Sequence, residues 1–204
     1  MRGGRRPALL LAGLLAVAGA WQLGSAGWLL AKAELAQILI ARAWSRTLAG
    51  EAEARPWNWA DTWPVARLEA PEHGIDLYVL AGGSGRTLAF GPGHLDGTPL
   101  PGAPGRSVIA AHRDSSFRFL KDLAPGEHLR VQTADGEWRD FVALKGMVLD
   151  TRTEKLQLAP TGRPELVLVT CFPFDAPFAG SPLRYVLRAI PVEKAEVSSG
   201  AGSG

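Results

Sequence analysis

Two hydrophobic rhythms divide the chain. From about residue 7 to residue 31 apolar side chains run almost unbroken, close to the ~20 residues a helix needs to cross a bilayer. Between 33 and 43, Leu35, Ile38, Leu39 and Ala43 recur at helical spacing, with Glu34, Gln37 and Arg42 between them. That spacing predicts a juxtamembrane helix that can run on from the first. Beyond residue 64 the period drops to two. Ala66, Leu68 and Ala70 alternate with Arg67 and Glu69, so 65–70 reads as a half-buried strand. Strands are also predicted over 75–80, 87–90, 107–111, 129–133, 139–149, 165–170 and 184–191, with a helical turn or two within 116–123. Asp135-Gly136 marks a hairpin between two of them. About eight short strands with turn-rich links point to an all-β domain, a closed or nearly closed barrel with short helices.

Composition supports that division. The 204 residues hold one membrane segment and one domain of roughly 130–150 residues. The expected organisation is a basic end and anchor over 1–32, a juxtamembrane helix and linker over 33–56, a β domain over 57–192 and a small, polar, disordered tail over 193–204. Arg2, Arg5 and Arg6 precede the apolar run, which places the N-terminus in the cytoplasm and the β domain outside. Trp21 and Trp28 lie toward the far end of the run, where aromatic rings favour the interface. Small residues at Ala16, Ala18 and Ala20 would suit a signal peptidase, but the apolar run continues past them, so a retained anchor is the better reading. Trp57, Trp59 and Trp63 read as rings capping the domain core, with a membrane-surface contact as the alternative. A net charge of +2, with no basic run after residue 6, excludes nucleic acid as a partner.

The single cysteine, Cys171, rules out an intramolecular disulfide. It follows the apolar run 166–169 and so sits where a strand ends and a loop begins, a rigid and accessible place for a nucleophile. A buried small hydrophobe is the plainer reading, but an unpaired thiol outside the cytoplasm is a liability unless used. His73 and His128 adjoin turn residues and read as solvent-facing, and His94 lies in the turn Gly91-Pro92-Gly93-His94. His112 closes the apolar run 108–111, also at a strand-to-loop boundary. A cysteine and a histidine together support nucleophilic attack, because the imidazolium can protonate a leaving amine. Arg184 opens the last strand, thirteen positions after Cys171. A guanidinium aimed at a reacting carbonyl would stabilise developing negative charge. Arg188, four residues on, is the decoy.

In order along the chain, these residues resemble the sortase family. The resemblance lies in Gly91-Pro92-Gly93-His94, the turn 101–105, Val108-Ile109-Ala110-Ala111-His112-Arg113-Asp114, Phe119-Leu120-Lys121-Asp122-Leu123 with Pro125-Gly126-Glu127, Leu166-Val167-Leu168-Val169-Thr170-Cys171, and Pro182-Leu183-Arg184-Tyr185. It covers roughly 57–192. The single N-terminal anchor and the run Cys171-Phe172-Pro173-Phe174-Asp175 look most like the Gram-negative sortase class. Two positions depart from the family pattern: Ala111 stands where glycine is usual, and Val167 where the first threonine is usual.

The resemblance implies an eight-stranded barrel and a membrane-anchored cysteine transpeptidase. It implies Cys171 as the nucleophile, His112 as the general acid and base, and Arg184 as the oxyanion and substrate stabiliser. Thr170 and Ala111 are implied to shape the substrate pocket. The implied partners are a secreted protein with a C-terminal Leu-Pro-x-Thr-Gly-like sorting signal and an amine acceptor, at the periplasmic face of an inner membrane. No cofactor and no metal is implied. An L,D-transpeptidase on peptidoglycan is the rival enzyme, but that family has glycine before the cysteine and arginine two after, where Thr170 and Pro173 stand here. The non-enzymatic rival is an inactive binding or scaffold barrel.

Overall fold

The computed structural model describes residues 5–158, 160–178 and 180–192, so the tail expected over 193–204 lies outside the described residues. The chain divides into two units, Met1–Leu39 and Ile40–Gly204. One unbroken helix, α1, covers Arg5–Leu48. In the first unit Leu10, Leu14, Val17, Trp21 and Leu29 stand exposed on it. A helix that is apolar on every side suits lipid, not water, and this one is long and apolar enough to cross a membrane. Lys32 lies 5.0 Å from the Trp28 ring centre, ending the apolar stretch in a cation–π contact.

In the second unit the last turns of α1 bury Ile40, Ala43 and Trp44. Their spacing of three and four puts them on one stripe. The Trp44 indole N–H donates to Gln132 Oε1 at 3.1 Å, which satisfies the polar edge of a buried ring.

The strands are β1 Pro64–Ala70, β2 Ile75–Ala81, β3 Gly93–His94, β4 Gly105–Ala110, β5 His128–Gln132, β6 Trp138–Ala143, β7 Met147–Asp150, β8 Pro164–Cys171 and β9 Leu183–Pro191. Eight of them close the expected barrel in the order β6-β5-β1-β2-β3-β4-β8-β9, and the end of β9 returns to β6. β7 pairs with the first half of β9 on the same edge. The pairings β2–β3 and β4–β8 are parallel and the rest antiparallel.

The period-two pattern of β1 turns Ala66, Leu68 and Ala70 inward, as predicted. The barrel interior holds Leu68, Ile109, Phe117, Phe141, Leu168 and Leu187, all fully buried. Each such side chain contributes about 1.5–3 kcal/mol by leaving water. The β5–β6 hairpin forms at the predicted Asp135-Gly136. Gly136 takes a φ of +85° there, and the Asp135 carboxylate accepts the Glu137 N–H at 3.0 Å.

Several sequence expectations give way. The segment 87–90 is not a strand: α2, Gly85–Leu88, is a single helical turn capped by Ser84, whose hydroxyl accepts the Thr87 N–H at 3.1 Å. The predicted strand 139–149 is two strands, broken near Gly146. A Cβ there would lie 2.0 Å from the Tyr185 hydroxyl oxygen, so only glycine fits under that ring. His94 is in β3, not a turn, and is 6% exposed. His73 is partly buried, bonded to Glu127 at 2.8 Å through its Nε2. Of the three tryptophans read as core caps, Trp57 meets the Phe90 ring edge-on at 5.1 Å, whereas Trp59 is 83% exposed.

Candidate active site

β8 sits between β4 and β9, and its two neighbours fix what stands beside its last residue. β4 runs parallel to β8, with Ala110 level with Val169. The tie continues past the strand: the Ala111 N–H donates to the Val169 carbonyl at 3.2 Å, and the Thr170 hydroxyl donates to the Ala111 carbonyl at 2.7 Å. One further step brings His112 level with Cys171. On the other side β9 runs antiparallel and pairs Arg184 directly with Cys171. Neighbouring strands lie about 4.8 Å apart, so the row His112–Cys171–Arg184 spans about 10 Å at the backbone.

Alternation sets the face. Leu166 and Leu168 point into the barrel core, while Val167 and Val169 belong to a second cluster with Val108, Leu149 and Val186 on the outer face. Cys171 follows Val169 by two and Arg184 precedes Val186 by two, so both share that outer face. His112 continues the outer series of Val108 and Ala110 and is exposed. Cys171 is half-buried and its thiol is free of any disulfide. The three predicted residues are therefore brought to one edge of an apolar outer floor. Val167, one of the two departures noted above, is 1% exposed within that floor, where an aliphatic side chain needs no hydroxyl partner.

Thr170 and Ala111, expected to shape the substrate pocket, are both buried. They are 2% and 5% exposed, Ala111 belongs to the core cluster, and the Thr170 hydroxyl is committed to the Ala111 carbonyl. The Arg184 Nη1 donates to the carbonyls of Ser181 at 2.7 Å and Leu183 at 2.9 Å, which holds the guanidinium at the end of its own loop. Behind it, Tyr185 packs edge-on to Phe174 with centroids 5.2 Å apart, and burial raises its phenol above the ordinary tyrosine range.

Arg188, the decoy, is committed elsewhere. It lies at the far end of the same outer face and donates from Nη2 to Glu165 at 2.8 Å, while Arg106 donates from Nε to the same oxygen at 3.0 Å. Burial pushes the Glu165 carboxyl up, but the bonds from Arg188 and Arg106 and their charges outweigh it and leave it below the usual carboxylate range. Arg106 also donates to the Gln157 carbonyl at 3.1 Å, so the 151–163 connection is fastened over this end of the floor. Among the described residues no cluster of three or more His, Cys, Asp or Glu could hold a metal.

Sequence reading did not single out Val108, Leu149 and Val186 as the floor, nor the loop bonds of Arg113 described below. The signal for the floor was present: 166–169 is apolar at every position, the mark of a strand buried on both faces.

Comparison with known proteins places the chain in a family. The family model described as the sortase domain matches residues 68–192. Sortase D of Bacillus subtilis (strain 168) is 29% identical over 120 residues, which cover 59% of this chain and 60% of that protein. The chain thus spans about three fifths of that curated relative. Among solved structures, sortase A from Corynebacterium diphtheriae superposes with a TM-score of 0.57 at 27% identity, covering 68% of this chain and 65% of the other. Sortase C-1 from Actinomyces oris does so with a TM-score of 0.54 at 30% identity, covering 64% and 75%. A match of the family model across more than half of the sequence means that the chain belongs to the sortase family.

Proposed function

We propose that this protein is a membrane-anchored cysteine transpeptidase that cuts a Leu-Pro-x-Thr-Gly-like sorting signal and passes the new acyl end to an amine. The observation that carries the reading is the row of imidazole, thiol and guanidinium on one edge of the outer face, set by the β4–β8–β9 register.

In the proposed reaction the Cys171 thiolate attacks the scissile carbonyl carbon, and the carbonyl π electrons move to oxygen. Arg184 holds that oxyanion. As the tetrahedral species collapses, the C–N bond breaks and the His112 imidazolium gives its proton to the departing amine. A thioester remains on Cys171. The acceptor amine loses a proton to the now neutral His112 as it attacks, and the thiolate leaves. Water in place of the amine gives hydrolysis.

The apolar part of α1 supports membrane anchoring, and Arg5 and Arg6 before it support a cytoplasmic N-terminus with the barrel outside. The single anchor and the run Cys171-Phe172-Pro173-Phe174-Asp175 support the Gram-negative class, and with it the periplasmic face of an inner membrane.

The test is mass spectrometry of the products from a sorting-signal peptide with and without an added amine. The expected result is a thioester adduct on Cys171 and a transfer product, both lost in Cys171→Ala. His112→Ala and Arg184→Ala should each cost on the order of 100- to 1,000-fold in kcat. Cleavage surviving in Cys171→Ala would overturn the reading.

A further inference from the structure

Arg113 follows His112 directly, yet it has no part in the reaction above. The residue is half-buried. Its Nη2 donates to two carbonyls of the β8–β9 loop, Ala176 and Phe178, each at 2.9 Å. That loop, 172–182, follows directly on Cys171 and leads into β9, whose second residue is Arg184. One guanidinium nitrogen therefore bridges the segment carrying His112 to the segment whose two ends carry the other reactive groups.

Among the described residues, the other ties of this loop lie away from its tip: on the far arm the Thr151 N–H and hydroxyl donate to the Pro182 carbonyl at 3.1 and 2.8 Å. Phe178 is 81% exposed, so its ring buries almost no surface that would order the backbone. The base of the loop is fixed by Phe174 against Tyr185, and by the Phe172 N–H donating to the Leu183 carbonyl at 3.0 Å. Between base and tip, the Ala176 N–H donates to the Pro173 carbonyl at 3.4 Å, long for its kind. A charged donor reaching two carbonyls gives stronger bonds than a neutral one.

We infer that Arg113 is a positioning residue: it clamps the β8–β9 loop to the His112 segment and so sets the spacing of imidazole, thiol and guanidinium for catalysis. This inference rests on the proposed function for its catalytic consequence, but the clamp can be read without any activity. Small errors of placement are costly in such a site, since a shift of about 1 Å can cost on the order of 100-fold in rate.

The experiment uses the full chain with Arg113→Ala and Arg113→Lys. Amide hydrogen exchange over 174–178 reads the clamp, and cleavage of a fluorogenic sorting-signal peptide reads its consequence. In Arg113→Ala, loop exchange should rise by on the order of 10-fold while the β8 and β9 amides keep their protection. kcat should fall by about 10- to 100-fold at unchanged thermal midpoint. In Arg113→Lys, an ammonium can still donate to both carbonyls, so exchange and kcat should both recover most of the loss. Unchanged loop exchange in Arg113→Ala would overturn the clamp. Faster exchange with kcat unchanged, or a loss of kcat that Lys fails to rescue while it restores loop protection, would overturn the positioning role. A wild-type protein that cleaves no sorting-signal peptide would sink the proposed function instead, with loop exchange still deciding whether the clamp exists.

Discussion

The Thr170 hydroxyl gives the sharpest single test of how the site is held. It is buried, its residue being 2% exposed, and it donates to the Ala111 carbonyl at 2.7 Å. Thr170→Val keeps the shape almost unchanged and removes that one donor. A buried hydrogen bond lost in this way costs about 1–2 kcal/mol. For a domain of this size 1 kcal/mol moves the midpoint by about 2–4 °C, so thermal unfolding followed by circular dichroism should shift down by about 2–8 °C. The second consequence is local. The bond ties the last steps of β8 to the residue before His112, so its loss loosens the row that the reaction needs. Peptide cleavage per folded molecule at 25 °C should fall by about tenfold in Thr170→Val. Thr170→Ser keeps the donor and removes a methyl, which costs about 0.8 kcal/mol but should leave cleavage within twofold of wild type. Equal cleavage rates in the two variants would refute the claim that this bond sets the site.

Three other changes bear on the fold that carries the site. Leu168→Ala empties a fully buried position on β8 and should cost about 2–5 kcal/mol by denaturant unfolding; a loss under 1 kcal/mol would mean that the barrel interior is not closely filled around β8. Gly93→Ala should destabilise severely, because a Cβ there would meet the Gly82 carbonyl oxygen at 2.2 Å and β3 would have to leave β2; a wild-type midpoint in that variant would show the contact to be absent. Asp150 is lowered to about 2 from 3.8, first by the Arg152 side-chain hydrogen bond and then by the Arg152 backbone N–H. An acid lowered on folding adds stability above its unfolded pKa and loses it as pH falls from about 3.8 through 2. Carboxylate titration by NMR should therefore give a midpoint near 2 that climbs back toward 3.8 in Arg152→Ala, and an unmoved midpoint would contradict the pairing.

Much of the barrel was legible because β1, β5, β8 and β9 carry their burial in their own residue order. Ala66-Arg67-Leu68-Glu69-Ala70 alternates, 166–169 is apolar throughout, and Asp135-Gly136 supplies its own turn. What could not be read depended on partners distant in sequence. α2 looked like a strand because Thr87, Leu88 and Phe90 have strand character, and the Ser84 cap that makes a helical turn there is a weak local signal against it. β3 is hidden for a related reason. Gly91-Pro92-Gly93-His94 has the composition of a turn, yet Gly93 is glycine because the Gly82 carbonyl presses on it. The role of Gly146 likewise depends on Tyr185, thirty-nine residues away.

The site poses the same problem more acutely. Sequence reading placed Cys171 and His112 at strand ends and Arg184 at a strand start, but position within a strand does not say which ends meet. Direction of pairing decides that. Because β4 runs parallel to β8, the ends of both strands lie together and His112 comes level with Cys171. Because β9 runs antiparallel to β8, its start faces the end of β8 and Arg184 meets Cys171. An antiparallel β4 would carry His112 to the opposite end of β8, about 20 Å away at ~3.3 Å per residue, with every local sequence feature unchanged. A parallel β9 would move Arg184 as far. An end, an end and a start converge only in the combination parallel then antiparallel, and that combination needs a crossover between β4 and β8. β5, β6 and β7 occupy the crossover, so the fifty-eight residues between His112 and Cys171 supply two strands of the barrel wall, β5 and β6, while returning the chain in the direction the site requires.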